Sequence, residues 1–186
     1  MSTRAAVFLD RDGTIVHDVN YLARPEQLKL IADAPEAMTR LTAAGLPLIV
    51  ITNQSGIGRG YFTEADFSVI TARLDEMLLA HGITLTATYH CPDAPHVPDA
   101  MSCRKPGDTM HRRAALEHGI DLQKSFYIGD KWRDVAPAVT HNAMGVLIPT
   151  PDTSFSDLSR AKDDAVVATT LTAAVDRVLR MHASRT

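Results

Sequence analysis

Five short apolar runs recur along the chain, "AAVFL", "LPLIVI", "SFYI", "MGVLI" and "DAVVA", and stretches of helical length and pattern separate them. Parallel neighbours need a crossover connection, usually a helix, and strands covered on both faces read as continuous apolar runs. The expected fold is therefore α/β, a three-layer Rossmann-like parallel sheet with helices on both faces. "ADAPEAMTRLTAAG" closes on Gly45, a natural left-handed cap. "TEADFSVITARLDEMLLAHG" begins at Thr63, a good N-cap, and its Phe67, Ile70, Leu74, Met77 and Leu78 recur at helical spacing. "MHRRAALEHG", "KWRDVAPAVTHNAMG" and "TTLTAAVDRVLRMHA" supply further helices, with Pro137 expected in an early helical turn.

Two segments interrupt the alternation. Residues 13–31 carry the polar "HDVNYLARPEQ", and residues 91–106 carry four prolines and no period. A long insert of this kind in a compact domain is usually functional. No repeat or linker divides the chain, so residues 1–186 are expected to form a single domain with a proline-rich loop at 91–106.

Three of the apolar runs end in polar residues. "FL" leads into Asp10, Arg11 and Asp12; "IVI" into Thr52, Asn53, Gln54 and Ser55; "FYI" into Gly129, Asp130 and Lys131. Ligands of doubly wound sheets bind beyond the carboxyl ends of the strands, so all three clusters are expected to face one crevice. Asp-Gly is also ordinary turn material, and "DRDG" alone would read as a solvated turn. Convergence with two other strand ends favours chemistry. Close carboxylates repel unless a cation lies between them, and magnesium takes oxygen ligands from one or two carboxylates plus phosphate. Asp10 could attack phosphorus, Asp12 could serve as acid and base, and Asp130 could add a metal ligand. Thr52 could donate a hydroxyl; Lys105 and Arg104, in the proline-rich loop, could bring positive charge. An Arg-Lys pair is otherwise usually solvated surface, and Lys131 at a helix start is disfavoured by the dipole unless an anion is near. "GIGRG", residues 56–60, lacks the signature of a P-loop and reads as a flexible turn; Trp132 reads as a packing residue.

Composition narrows the field. The net charge of −3 gives no bulk attraction to nucleic acid or membrane, and no apolar run approaches the roughly 18 residues of a membrane span. The start of the chain has no apolar stretch resembling a signal peptide, and Cys91 and Cys103 are too few for a disulfide scaffold. A cytoplasmic location is expected, with the two cysteines as thiols.

"FLDRDGTI", "ITNQSGIGRG", "CRKP" and "YIGDKWRD", in that order, resemble the four motifs of the haloacid dehalogenase-like phosphatases, and more narrowly those of the heptose bisphosphate and histidinol phosphatases. The likeness spans roughly residues 5–150. It implies a sheet without a large cap domain, and hydrolysis of a small phosphorylated sugar, D-glycero-D-manno-heptose 1,7-bisphosphate, through an aspartyl-phosphate; a monomer is expected. Histidinol phosphate is the alternative substrate. A phospho-accepting receiver-like signalling module is the alternative class, although receivers are shorter and place their aspartate on a more central strand. The resemblance makes Asp10 the nucleophile and Asp12 the acid/base. It places magnesium on Asp10, the Asp12 carbonyl and Asp130, and gives Thr52 and Lys105 to the phosphoryl group. Asp18 to Tyr21, Asn53 to Ser55, Arg104 and Lys131 would bind substrate, with Asp134 behind the metal ligands. The family often carries zinc on Cys-x-His and Cys-x-Cys. Here those positions read Cys91-Pro92-Asp93 and Met101-Ser102-Cys103, and a thioether is a poor zinc ligand. Cys91, Asp93, His96 and Cys103 are the set that could still hold zinc; the expectation is a loop without it.

Overall fold

The computed structural model describes residues 3–185. Six strands, β1 (Val7–Leu9), β2 (Leu48–Asn53), β3 (Ala87–Cys91), β4 (Phe126–Gly129), β5 (Met144–Leu147) and β6 (Val166–Val167), form one parallel sheet in the order β3-β2-β1-β4-β5-β6. The helices are α1 (Ala34–Ala43), α2 (Ser55–Gly58), α3 (Glu64–Leu79), α4 (Thr109–His118), α5 (Trp132–Thr140), α6 (Phe155–Asp164) and α7 (Leu171–Ala183). None of them is long and apolar enough to cross a membrane.

Successive strand residues point to opposite faces, and the core divides accordingly. Val7, Leu9, Leu48, Val50, Phe126 and Ile128 pack with α1, α3 and α7. Ala6, Phe8, Ile49, Ile51 and Tyr127 pack on the other face with Met110 and Ala114 of α4. Trp132 packs beside Val135, Leu147 and Ala161, as expected.

All five expected strands are present. The sixth, β3, escaped the sequence reading because "ATYHC" is a half-buried edge strand with only Tyr89 and Cys91 fully covered. Helix α6 escaped as well, since only Ala161 of its ten residues is buried. The caps agree with the sequence: Thr63 Oγ1 accepts the Asp66 amide at 3.1 Å while Asp66 Oδ2 accepts the Thr63 amide at 2.8 Å. Gly119 caps α4 at φ 64°. Pro137 corrects the expectation of an early turn. It lies inside α5, buried, beyond the first turn. Its missing N–H gives up one helical bond, and burial of the ring offsets that loss.

The register aligns Leu9 with Val50 on one side and with Ile128 on the other. One residue further along β1, and two further along β2 and β4, Asp10, Thr52 and Asp130 therefore come to the same edge. The chain leaves β1 outward through β2 and β3, then returns to β4 on the opposite flank. This is the topological switch point at which α/β sheets bind ligands. The two irregular segments rise over that edge, each containing a turn of 3-10 helix, Pro25–Gln27 and Asp99–Met101.

Candidate active site

The centre of the site is a buried group of carboxylates, with one oxygen each from Asp10, Asp130 and Asp134 lying within 4.8 Å of one another. Lys105 enters this group from the proline-rich loop. Its Nζ lies 2.6 Å from Asp10 Oδ1 and 2.7 Å from Asp134 Oδ1, and it donates to the Ile51 carbonyl. Burial alone would lower the Lys105 pKa, but Asp10 and Asp134 outweigh it and hold the ammonium charged. Lys105 is shared between Asp10 and Asp134, and Asp130 pairs with Lys131. Burial, then repulsion from Asp134, pushes the Asp10 carboxyl up to about 7, with Lys105 opposing. Burial and Asp134 also raise Asp130. A compact, buried set of three carboxylates is the oxygen-only donor chemistry a hard divalent cation requires, so the residues fit magnesium. Gly13 leaves room here: a Cβ at its φ of 83° would meet Asp130 Oδ2 at 2.7 Å.

Asp12 lies beside this group with its carboxylate fixed by three donors. Arg11 Nε and Nη2 approach it at 3.1 to 3.2 Å, Gln54 Nε2 at 2.9 Å, and Thr52 Oγ1 at 3.4 Å. Arg11, 1% exposed, was not singled out by the sequence reading. Its guanidinium lies over the Phe67 ring and its Nη1 has no hydrogen-bond partner.

A cavity of about 300 Å³ opens above these groups, lined by Asp10, Asp12, Asp18, Tyr21 and Thr52, then by Asn53 to Ser55 and by Arg104. The structure thus brings together nearly all the expected catalytic and binding residues. Lys131 is the exception. Its ammonium is 2.8 Å from Asp130 Oδ2 rather than on the cavity wall, because a cation placed next to a buried carboxylate pairs with it. Asn53 lines the cavity, but its amide is also committed elsewhere: Oδ1 accepts the Lys105 N–H at 3.0 Å and Nδ2 donates to the Lys105 carbonyl at 3.2 Å. "GIGRG" is not a loose turn. A Cβ on Gly56 would meet Phe62 at 2.2 Å, and one on Gly58 would meet the Pro92 carbonyl at 2.5 Å, so close packing excludes other residues.

The cysteines correct the expectation of free thiols, for Cys91 and Cys103 are joined in a disulfide. The proline-rich loop doubles back from the end of β3, which the sequence spacing alone does not reveal. Asp93 Oδ2 accepts the Cys103 N–H and the Ser102 hydroxyl, both at 3.0 Å. His96 is exposed and outside the Cys91, Asp93 and Cys103 group. Sulfurs bonded to each other offer no thiolate, so the residues as arranged do not fit zinc. Closing a loop of this length contributes about 3 kcal/mol. The Cys91→Ser/Cys103→Ser protein is expected to lose about that much stability in urea unfolding, and equal midpoints for variant and wild type would mean the bridge is not closed in solution.

Residues 102–174 match the family model described as "HAD-hyrolase-like". The D-glycero-beta-D-manno-heptose-1,7-bisphosphate 7-phosphatase of Helicobacter pylori is 41% identical over 136 residues, covering 73% of this chain and 78% of that protein. The enzyme of the same name from Escherichia coli K12 is 39% identical over 142 residues, 74% of each chain. The crystal structure of D,D-heptose 1,7-bisphosphate phosphatase from B. bronchiseptica, complexed with magnesium and phosphate, superposes with a TM-score of 0.84 at 28% identity, covering 95% of this chain and 98% of that one.

Proposed function

Because the chain belongs to the haloacid dehalogenase-like phosphatases of the heptose 1,7-bisphosphate type, we infer that it hydrolyses D-glycero-D-manno-heptose 1,7-bisphosphate with magnesium, through a phosphorylated Asp10. The observation that carries this reading is the buried Asp10–Lys105–Asp134 group at the floor of a cavity edged by Asp12. Asp10, the Asp12 carbonyl and Asp130 would hold the metal, with Asp134 against them. When bound, magnesium would neutralise phosphoryl oxygens and lower the repulsion between nucleophile and substrate.

Each residue then has a task. An Asp10 carboxylate oxygen attacks phosphorus and the phosphorus–sugar oxygen bond breaks. The Asp12 carboxyl gives its proton to the departing alkoxide. Asp12, now a carboxylate, takes a proton from water, whose oxygen attacks the same phosphorus. The acyl-phosphate bond breaks, releasing inorganic phosphate and restoring Asp10. Arg11 and Gln54 hold Asp12 in place through both halves. Thr52 and Lys105 steady the phosphoryl group, while Asp18, Tyr21, Asn53, Gln54, Ser55 and Arg104 surround the sugar. Lys131 reaches the substrate in this scheme only by leaving Asp130.

The reading takes residues 1–186 as one catalytic unit, a cytoplasmic monomer whose partner is a small phosphorylated sugar, not nucleic acid or membrane. In a reducing cytoplasm the Cys91–Cys103 pair would be open. The test is release of inorganic phosphate from heptose 1,7-bisphosphate, sugar monophosphates and histidinol phosphate, with magnesium and with EDTA. Multiple turnovers that depend on magnesium and favour the heptose support the proposal. A single phosphate held per chain would instead match a receiver-like switch. Asp12→Asn is expected to slow turnover by about 10²- to 10⁴-fold, as loss of a positioned acid-base group does, and an unchanged rate removes that role.

A further inference from the structure

The chain leaves β4 at Gly129, whose carbonyl accepts the Ile148 N–H at 2.9 Å. The next carbonyl, that of Asp130, lies past the end of the strand on a residue 1% exposed, and a buried carbonyl needs a donor. The donor comes from the segment that follows β5. Thr150-Pro151-Asp152-Thr153 is turn sequence, with proline at the second position. The Thr153 N–H closes the turn on the Thr150 carbonyl at 3.0 Å. The Thr153 hydroxyl oxygen accepts the Thr150 N–H at 2.8 Å and donates its single proton to the Asp130 carbonyl at 2.7 Å. The Thr150 hydroxyl donates to Asp130 Oδ2 at 3.3 Å, the same oxygen that receives Lys131. One turn therefore holds both the backbone and the side chain of Asp130. Its far side is anchored as well, because the next residue, Ser154, caps α6 by accepting the Asp157 N–H at 3.0 Å. Both threonines stand outside the cavity wall, and both lie beyond the four motifs.

We propose that Thr153, seconded by Thr150, is a positioning residue of the metal centre: the 150–153 turn fixes the direction in which Asp130 presents its carboxylate to a divalent cation. The inference rests on the magnesium reading above and deepens it. Both hydroxyls act through Asp130. The Thr153 bond sets the plane of the Asp130 peptide, from which the carboxylate projects, and the Thr150 bond limits how that carboxylate turns. Magnesium demands near-ideal octahedral geometry, so a ligand free to swing is a poor one. Groups that orient a ligand without touching the metal are worth about 10- to 100-fold in affinity. The role belongs to the hydroxyl rather than to the bulk of the side chain. Serine can therefore stand in for Thr153, and valine, nearly the same size, cannot.

The test reads magnesium binding without turnover, by isothermal titration with magnesium chloride, in wild type, Thr153→Val, Thr153→Ser and Thr150→Val. Thr153→Val is expected to raise the Kd for magnesium by about 10- to 100-fold, and Thr153→Ser to stay within about threefold of wild type. Kinetics should divide in the same way. In Thr153→Val the magnesium concentration that gives half the maximal rate rises, while KM for heptose 1,7-bisphosphate at saturating magnesium does not change. Equal magnesium affinity in Thr153→Val and wild type overturns the proposal and leaves the metal reading intact. Equal losses in Thr153→Val and Thr153→Ser also overturn it, because they mark a packing role. Should Thr153→Val fail to fold, Thr150→Val decides, since it keeps the bonds that close the turn. A loss of affinity of about threefold or more in that variant upholds the positioning role, and no loss overturns it. Wild type that binds no magnesium at millimolar concentration overturns the metal reading, and this inference with it.

Discussion

Asp10→Asn is expected to reduce phosphate release by at least about 10⁴-fold, the scale on which enzymes lose turnover when a nucleophile is removed. The amide cannot form the acyl-phosphate, and no other carboxylate at this edge occupies the tip of β1. Activity within tenfold of wild type would refute the covalent mechanism. The same substitution makes a second, opposite prediction for stability. The Asp10 carboxyl is raised from 3.8 to about 7, so between those pH values the folded protein holds a proton that the unfolded chain has released. Stability therefore falls as pH rises through that window. Asn carries no such charge. The variant should melt above the metal-free wild type, with a gap that widens from pH 4 to pH 8. Magnesium should stabilise the wild type more than the variant. A variant that is both inactive and less stable at pH 8 would mean that Asp10 holds the fold rather than reacts.

Lys105→Met is the other substitution with a large effect. Methionine roughly preserves length and removes the charge, leaving Asp10 and Asp134 buried without their shared cation. Breaking a buried pair in this way destabilises by about 3–5 kcal/mol, and loss of a donor to the transferring group slows turnover by about 10²- to 10³-fold. The stability deficit should shrink at low pH, where the abandoned carboxylates take up protons, and grow toward pH 8. Urea unfolding at pH 5 and pH 8 reads this directly. A deficit equal at both would show that packing, not charge, is what Lys105 contributes.

How far the site could be read in the sequence depended on the kind of constraint. Asp10, Thr52 and Asp130 were legible because each follows an apolar run, and a parallel sheet aligns the ends of such runs. The strands β1, β2 and β4 were legible for the same reason. Strand β3 was not, since an edge strand needs no apolar continuity, and α6 was not, since it buries a single alanine. The pairing of Cys91 with Cys103 depends on how the 91–106 segment folds back on the end of β3, and local pattern carries no trace of that. Arg11 hid between two more conspicuous aspartates. The disagreement over Lys131 is one of electrostatics: proximity in sequence to Asp130 decided its partner.

The paired amide bonds of Asn53 to the backbone of Lys105 imitate one more rung of a sheet ladder. Lys105 is thereby indexed to β2, although it travels on an irregular segment. Where the Cys91–Cys103 bond is closed, Cys103 is also tied to the end of β3 two residues earlier, and the stretch from 92 to 102 is an excursion fastened at both feet. Changes in the length or sequence of that excursion can therefore leave the Lys105 ammonium in place beside Asp10.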